Sequence, residues 1–498
     1  MIAGEESEQG EQRLNGIHYA RDDVFSSIKK IHFVGIGGIG MSGIAEILLD
    51  QGFHVSGSDR QLTEVTQRLG SLGAEIFEGH DPIHITRDVD ALVYSSAVSL
   101  DNPEVQEAQR RKIPVIRRAE MLAEVMRLKY GIGIAGTHGK TTVTSMISLV
   151  LMEGTLDPTV IVGGKLRSLG GTNARLGHGD FIVVEADEFD RSFLSITPTI
   201  AVLTTLELDH LDCYKDIEEI KTAFVQFATK VPFYGFIVLC LDEQSLQEIM
   251  PQLSKKKIIT YGLNPQADLQ AVEISHKENT STFTVVCRGE ELGKLHLLIP
   301  GVHNVENSLA AVAVGLELGV PFSKIKAGIE KFTGVYRRWE VKAEIMGITV
   351  IDDYAHHPTE IRATLQGAKG GWRRRVVCVF QPHLYSRTRD FYQDFGRAFF
   401  DADVLIVTDV YPAREEPIPG VTGEIIANAA RQFGHKSVHY VRDKKEVPGY
   451  LMKIKTPGDI IVTMGAGDIW RYGEEFISQL KSQKQKFKHS SADSRFEF

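Results

Sequence analysis

The stretch Gly136-Thr137-His138-Gly139-Lys140-Thr141-Thr142 carries the parts needed to hold a triphosphate. A lysine ammonium neutralises β/γ oxygens, a threonine hydroxyl can ligate Mg²⁺, and the backbone N–H groups of a glycine-rich loop point at phosphate. The pattern departs from G-x-x-x-x-G-K-[ST], because residue 134 is isoleucine, but the shorter loop still supplies each part. A magnesium ion also needs oxygen ligands. Two acidic stretches offer them, Glu185-Ala186-Asp187-Glu188-Phe189-Asp190 and Glu207-Leu208-Asp209-His210-Leu211-Asp212. Taken singly, each reads equally well as helix-capping acids, and His210 as a structural histidine.

A second glycine-rich turn, Gly35-Ile36-Gly37-Gly38-Ile39-Gly40, fits G-x-G-x-x-G. Such a turn lets a pyrophosphate approach a helix N-terminus closely, and an acid about twenty residues on can bind ribose hydroxyls. Asp59 stands at that spacing. On these residues alone a nicotinamide-dependent dehydrogenase is the default reading, with a ligand-free tight turn as the plainer one. A dehydrogenase has no use for the triphosphate site, and a motor or GTPase switch has no use for the first turn. An enzyme that activates a nucleotide-linked substrate with ATP uses both.

These loops need strands and helices to hold them. Short apolar runs alternate with helical periodicity almost throughout: Ile31–Val34, His54–Gly57, Ala91–Tyr94, Ile132–Ala135, Phe181–Val184 and Ile200–Thr204 read as buried strands. The alternation predicts parallel α/β sheets. A third block shows Ile348–Ile351, Val376–Phe380, Val404–Val410 and Ile460–Met464, each roughly a helix apart. The expected fold is therefore α/β in three domains. A Rossmann-like domain spans 28–128, a P-loop ATPase-type domain 129–334, and a second Rossmann-like domain 335–480. Residues 1–27 read as a disordered acidic tail rather than a signal peptide, and 481–498 as a loose polar tail.

Composition agrees with a large globular chain. Its 498 residues are too many for one ordinary core. Net charge is −9 and the pI near 6.0, which argues against nucleic acid as a partner. The short basic runs (Arg110-Arg111-Lys112, for example) read as solvated surface. The four cysteines are widely spaced with no C-x-x-C pair, so disulfide frameworks and cysteine metal sites are not expected, and a reducing cytoplasm is. No run of apolar residues is long enough for membrane insertion.

The ordered strings G-T-H-G-K-T-T, E-A-D-E, D-H-L-D, P-G-V-H-N-V-E-N, R-R-W-E, D-D-Y-A-H-H-P-T-E and F-Q-P-H-L-Y-S-R-T-R-D together resemble the Mur ligases of peptidoglycan synthesis. The likeness runs from about residue 28 to about 475. The first glycine turn, D-D-Y-A-H-H-P-T-E and Met464-Gly-Ala-Gly-Asp-Ile-Trp470 favour the subgroup that joins L-alanine to UDP-N-acetylmuramate. A related subgroup that attaches a recycled tripeptide to the same sugar is the alternative.

The resemblance implies a reaction with ATP and Mg²⁺ in which the lactyl carboxylate is phosphorylated and the acyl phosphate is attacked by the alanine amine. It implies that Gly136, Thr137, His138, Gly139, Lys140, Thr141 and Thr142 bind ATP with Asn304, Asn307 and Arg338. It implies Thr141, Glu185 and His210 as metal ligands, and Lys140, Asp353, His356 and Arg387 as the catalytic set. Asp353 and His356 are both candidates for the base, and which arginine takes the alanine carboxylate stays open. The UDP substrate falls to Gly35, Gly37, Gly38, Gly40 and Asp59, with Ser95, Ser96, His138 and Arg389. Leu208 departs from the proline that many members carry before Asp209-His210. No carbamylated lysine is expected, and the assembly implied is a monomer or weak homodimer.

Overall fold

The computed structural model describes residues 28–95, 97–166, 172–189, 191–208, 213–413 and 415–493. The expected acidic tail 1–27, Ser96, Asp190, Asp209, His210 and Asp212 lie outside the described residues. The chain divides into two compact units, one ending at Met121 and one beginning at Leu122.

In the first unit the run Ile31-His32-Phe33-Val34 is buried on both sides and forms the strand Lys30–Val34. It is the middle of a five-stranded parallel sheet in the order Glu75–Glu78, His54–Asp59, Lys30–Val34, Ala91–Tyr94, Val115–Arg117. The chain leaves this strand to one side and later returns to the other, which opens a crevice at the strand's carboxyl end. The first glycine turn occupies that point and leads into the helix Ile39–Asp50.

The second unit holds two sheets. The first is ten-stranded, in the order Glu290–Leu297, Thr280–Cys287, Leu269–Lys277, Ile258–Gly262, Phe236–Cys240, Ile200–Leu203, Tyr130–Ala135, Phe181–Glu185, Thr159–Leu166, Thr172–Arg175. Its three central strands, Ile200–Leu203, Tyr130–Ala135 and Phe181–Glu185, are parallel neighbours. Glu207, the phosphate loop and Glu185 thus emerge side by side at their carboxyl ends. The parallel core carries antiparallel additions at both edges, Thr172–Arg175 at one and, at the other, Leu269 to Leu297, a meander. Its turns are too short for the helical crossover that a parallel pair requires. At one of them Arg288 and Gly289 both take left-handed backbone, with φ of 48° and 85°. That is the geometry of a two-residue hairpin.

The other sheet has the order Glu340–Ile345, Ile348–Asp353, Ile460–Met464, Val376–Phe380, Val404–Val407, Val438–Tyr440, antiparallel only at its first strand. Strand alternation sends Val376, Cys378 and Phe380 into one core and Val377 and Val379 into another. Helices therefore cover both faces. The final helix, Ile469–Asp493, continues well past Lys481, where a loose tail was expected. Phe476, Ile477 and Leu480 anchor it in the core, and the Lys- and Gln-rich continuation favours helix without needing burial. Cys240, Cys287 and Cys378 are free thiols. Among the described residues no helix is long and apolar enough to cross a membrane.

The hairpin Leu269–Cys287 also reaches the last sheet's helices. Glu278 N donates to Gly371 O at 2.8 Å, and Trp339 Nε1 to Asn279 Oδ1 at 2.8 Å.

Phe380 is fully buried between the rings of Phe395 and Phe399, with centroids 5.3 and 5.2 Å away. Phe380→Ala should destabilise by about 3–5 kcal/mol through lost burial and a cavity. Tyr392→Ala, at an exposed position of a neighbouring helix, should stay within about 0.5 kcal/mol of the parent. Urea unfolding followed by tryptophan fluorescence measures both.

Candidate functional site

The phosphate loop is shaped by two glycines that nothing larger can replace. Gly136 has φ 152°, and a Cβ there would sit 1.9 Å from Thr204 Oγ1. Gly139 has φ 83°, and its Cβ would sit 2.5 Å from Asn307 Oδ1. Gly139 then caps the helix Lys140–Glu153 without a side chain, which leaves its first N–H groups open to an anion. Threonines pin the loop. His138 N donates to Thr205 Oγ1 at 2.8 Å, Thr204 Oγ1 to His138 O at 2.5 Å, and Glu207 N to Thr137 Oγ1 at 3.0 Å.

Lys140 Nζ donates to Gly136 O at 2.7 Å and to Glu188 Oε2 at 2.7 Å. Burial works against its charge, but Glu188, Asp187 and Glu185 together hold the ammonium above its ordinary range. Glu185 ends its strand near Thr141, whose hydroxyl favours the ionised carboxylate. Burial is the main force on its carboxyl and pushes it up. Glu185 Oε1 is buried without a hydrogen-bond partner. An orphaned carboxylate oxygen beside a threonine hydroxyl is a hard oxygen donor set that suits Mg²⁺.

A cavity of about 730 Å³ opens from this loop. Thr137, His138, Gly139, Lys140, Thr141 and Thr142 line one side, and Asn304, Asn307, Arg338, Asp353 and His356 line the rest. Asn304 Nδ2 donates to Pro300 O at 2.7 Å, and Asn307 Nδ2 lies 3.5 Å from Asn304 Oδ1. Burial, reinforced by Arg338, holds His303 down to about 4, so a neutral imidazole faces the cavity. Arg338 enters between two left-handed residues, Arg337 at φ 60° and Trp339 at φ 49°. Such strained backbone persists only where its surroundings hold it. Here Trp339 N donates to Asp353 Oδ2 at 2.9 Å and Arg337 Nε to Asp352 Oδ2 at 2.9 Å.

Asp353 also accepts from Ala355 N at 2.8 Å, so both of its oxygens receive backbone N–H groups. Burial nevertheless pushes it up to about 6. Glu360 gathers the remaining contacts. Its Oε1 accepts from Arg338 Nη1 at 2.9 Å and faces His138 Nδ1 at 3.4 Å, and its Oε2 accepts from His356 N at 3.0 Å. Burial opposes its charge, but Arg338, His356 and His138 hold it well below the usual carboxylate range. His138, flanked by Glu207 and Glu360, is pushed up to about 9 despite burial.

Arg387 and Arg389 lie elsewhere, on the helix Tyr385–Ala398, and neither lines the cavity. Arg387 is buried, and Arg389 pairs with Asp390 at 2.7 Å. In the first unit, Asp59 is half-buried at the end of its strand. Its Oδ2 accepts from Gly37 N at 2.9 Å and braces the glycine turn. Gly38 N donates to Gly35 O at 3.2 Å, and Ser95 Oγ accepts from Ala97 N at 3.3 Å. Arg118, which sequence reasoning passed over, packs where a side chain on Gly40 would lie, 3.0 Å from its Nη1.

Other cavity residues were missed as well. Glu360 was legible as the last letter of His357-Pro358-Thr359-Glu360, a capping box. Glu243 and Glu306 carried no such signal. Burial pushes Glu306 up to about 8 and Glu243 up to about 7, so at pH 7 Glu306 lines the cavity mostly as a neutral acid and Glu243 about half so. The folded protein thus binds the Glu306 proton more tightly than the unfolded chain does. Stability should fall as pH rises from near 4.5 through about 8. At about 1.4 kcal/mol per unit, Glu306→Gln should remove a loss on the order of 2–4 kcal/mol. Chemical denaturation of both proteins at pH 5 and pH 9 tests it.

Three family profiles match the chain in order: "Mur ligase family, catalytic domain" over residues 30–130, "Mur ligase middle domain" over 134–315, and "Mur ligase, glutamate ligase domain" over 337–467. A UDP-N-acetylmuramate–L-alanine ligase of Geotalea uraniireducens is 56% identical over 458 residues, covering 92% of this chain and 99% of that protein. The crystal structure of a UDP-N-acetylmuramate-alanine ligase from Thermotoga maritima superposes with a TM-score of 0.75 at 30% identity, covering 91% of this chain and 99% of that one. A murein peptide ligase from Psychrobacter arcticus superposes at 0.65 with 26% identity, covering 91% and 98%. With three profiles in sequence and a relative matched end to end, the chain belongs to the Mur ligase family.

Proposed function

We propose that this protein is an ATP-dependent ligase that joins L-alanine to the lactyl carboxylate of UDP-N-acetylmuramate, releasing ADP and phosphate, in the cytoplasmic stage of peptidoglycan synthesis. The observation that carries this reading is the full-length identity to ligases of that name. The cavity is chemically suited to it. A carboxylate is a poor acyl donor because its leaving group would be oxide, and phosphorylation replaces that with a good one. Transfer onto an anion requires concentrated positive charge. Lys140 supplies it at the phosphate loop, and Arg338 from the opposite wall.

Thr141 and Glu185 would hold Mg²⁺, with His210 assigned to a second ion by resemblance. The ion's part is to neutralise phosphate oxygens. Gly136 to Thr142 form the phosphate loop, and the N–H groups at the start of the helix Lys140–Glu153 are the ones left for the phosphates. Asn304, Asn307 and the neutral His303 face the nucleotide. Asp353, pushed up to about 6 by burial, and His356 both line the cavity as candidate bases for the alanine ammonium. Arg387 and Arg389 are the arginines assigned by resemblance to the substrate and the incoming amino acid, for whose carboxylate a guanidinium offers a two-pronged grip. Gly35, Gly37, Gly38, Gly40, Asp59, Ser95, Ser96 and Arg389 are assigned to the UDP substrate, with Arg118 as a cationic addition at the glycine turn. The three functional blocks are 28–128 for the UDP substrate, 129–334 for ATP and 335–480 for the amino acid, acting as a monomer or weak homodimer.

The second reading is a peptide-recycling ligase, since a murein peptide ligase shares the fold at 26% identity. ADP release should require ATP, UDP-N-acetylmuramate and L-alanine together. Release with the tripeptide L-Ala-γ-D-Glu-meso-diaminopimelate but not alanine would move the protein to the recycling branch. No release from folded, ATP-binding protein would sink both. Lys140→Ala should cut kcat by about 10²–10³-fold or more, the range for removing one stabilising donor. An unchanged circular dichroism spectrum checks that the variant is folded.

A further inference from the structure

Three elements of the second unit bring His138, Glu207 and His357 together: the phosphate loop, the segment after the strand Ile200–Leu203, and the cap of the helix Pro358–Gly371. One ring nitrogen of each histidine and one carboxylate oxygen lie within 4.8 Å of one another. His138 Nε2 is 3.6 Å, and His357 Nδ1 3.7 Å, from the same oxygen, Glu207 Oε2. His138 Nε2 is buried and has no hydrogen-bond partner.

With metal–ligand bonds of about 2.0–2.2 Å, ligand atoms of a tetrahedral site sit roughly 3.3–3.6 Å apart. The two observed separations need to shrink by only a few tenths of an ångström. The surroundings match at His138 and Glu207, while His357 Nδ1 accepts from Thr359 N at 3.4 Å, a bond that a bound ion would replace. A ligating histidine normally gives its other nitrogen to a carboxylate, and a ligating carboxylate is itself hydrogen-bonded. His138 Nδ1 faces Glu360 Oε1 at 3.4 Å, and Thr359 Oγ1 donates to Glu207 Oε2 at 2.7 Å. Two imidazoles and one carboxylate favour a zinc-class ion over Mg²⁺. The three residues share no member with the Thr141–Glu185 pair.

We propose that His138, Glu207 and His357 form a binding site for a first-row transition cation of the zinc class, with one coordination position open to the cavity. A bound ion would take the place of the proton His138 otherwise carries and tie the phosphate loop to the cap of the Pro358–Gly371 helix. Zinc should therefore slow turnover in the presence of saturating Mg²⁺. The site itself does not depend on which amine the enzyme uses.

Co²⁺ is the probe, because four-coordinate cobalt absorbs strongly in the visible and octahedral oxygen-bound cobalt only weakly. Full-length protein in excess Mg²⁺ should develop a visible band that saturates at one Co²⁺ per chain and is displaced by Zn²⁺. Glu207→Gln and His357→Gln should each weaken binding by more than about 100-fold, beyond the effect of losing an outer-shell partner. Glu185→Gln should retain the band. Circular dichroism checks each fold, and His138→Gln substitutes for either variant that fails. Absence of a band in the parent protein overturns the site. So does a band that survives both Glu207→Gln and a histidine variant, or one lost only in Glu185→Gln.

Discussion

The second unit depends on one buried anion, the carboxylate of Glu360. Burying a charge is costly unless it is paired and hydrogen-bonded, and removing a single partner leaves the rest uncompensated. Glu360 meets that requirement with the Arg338 guanidinium and the backbone N–H groups of His356 and His357, and it also faces the His138 ring. Those partners come from the linker into the last sheet, a helix cap and the phosphate loop. The left-handed backbone at Arg337 and Trp339 follows from the same demand, since it aims Arg338 at Glu360 and at the cavity.

Around this anion the acids in and beside the cavity divide into two kinds. Those facing a cation, Glu360 and Glu207, sit below their ordinary range in spite of burial. Those for which burial outweighs any nearby cation, Glu185, Glu243, Glu306 and Asp353, are pushed up. Opposite environments acting on one residue type separate ionised from neutral carboxyls. A cavity lined with this many acids can admit a polyanionic nucleotide because part of the set is uncharged. Glu188 belongs to neither task in the same way. It keeps the Lys140 ammonium buried and oriented over the phosphate loop.

The strands that place the site were legible because each is a short, nearly continuous apolar run buried on both faces, such as Val376–Phe380 or Ile460–Met464. The meander Leu269–Leu297 was not, because its strands are half exposed and carry Glu, Lys and Thr between apolar residues. The final helix beyond Lys481 has no apolar periodicity to mark it, although Lys and Gln are good helix formers. Within the site, the glycine turns, Lys140, Glu185, Asn304 and Asn307 carried local signatures. Glu306 sits between two residues of such a signature and was still missed, because a single exposed-looking glutamate in a helix has no pattern of its own.

The amino-acid sequence by itself determined the α/β layering, the two glycine turns and the order of the functional segments. Apolar periodicity and glycine spacing are properties of neighbours along the chain, so they can be read there. The tertiary structure alone decided that Glu207, Lys140 and Glu185 stand side by side and that His138, Glu207 and His357 converge. It also decided which carboxyls keep their protons. Adjacency between parallel strands depends on the crossover path, and charge state on burial and on partners far away in sequence. Neither quantity is written in any local stretch of residues.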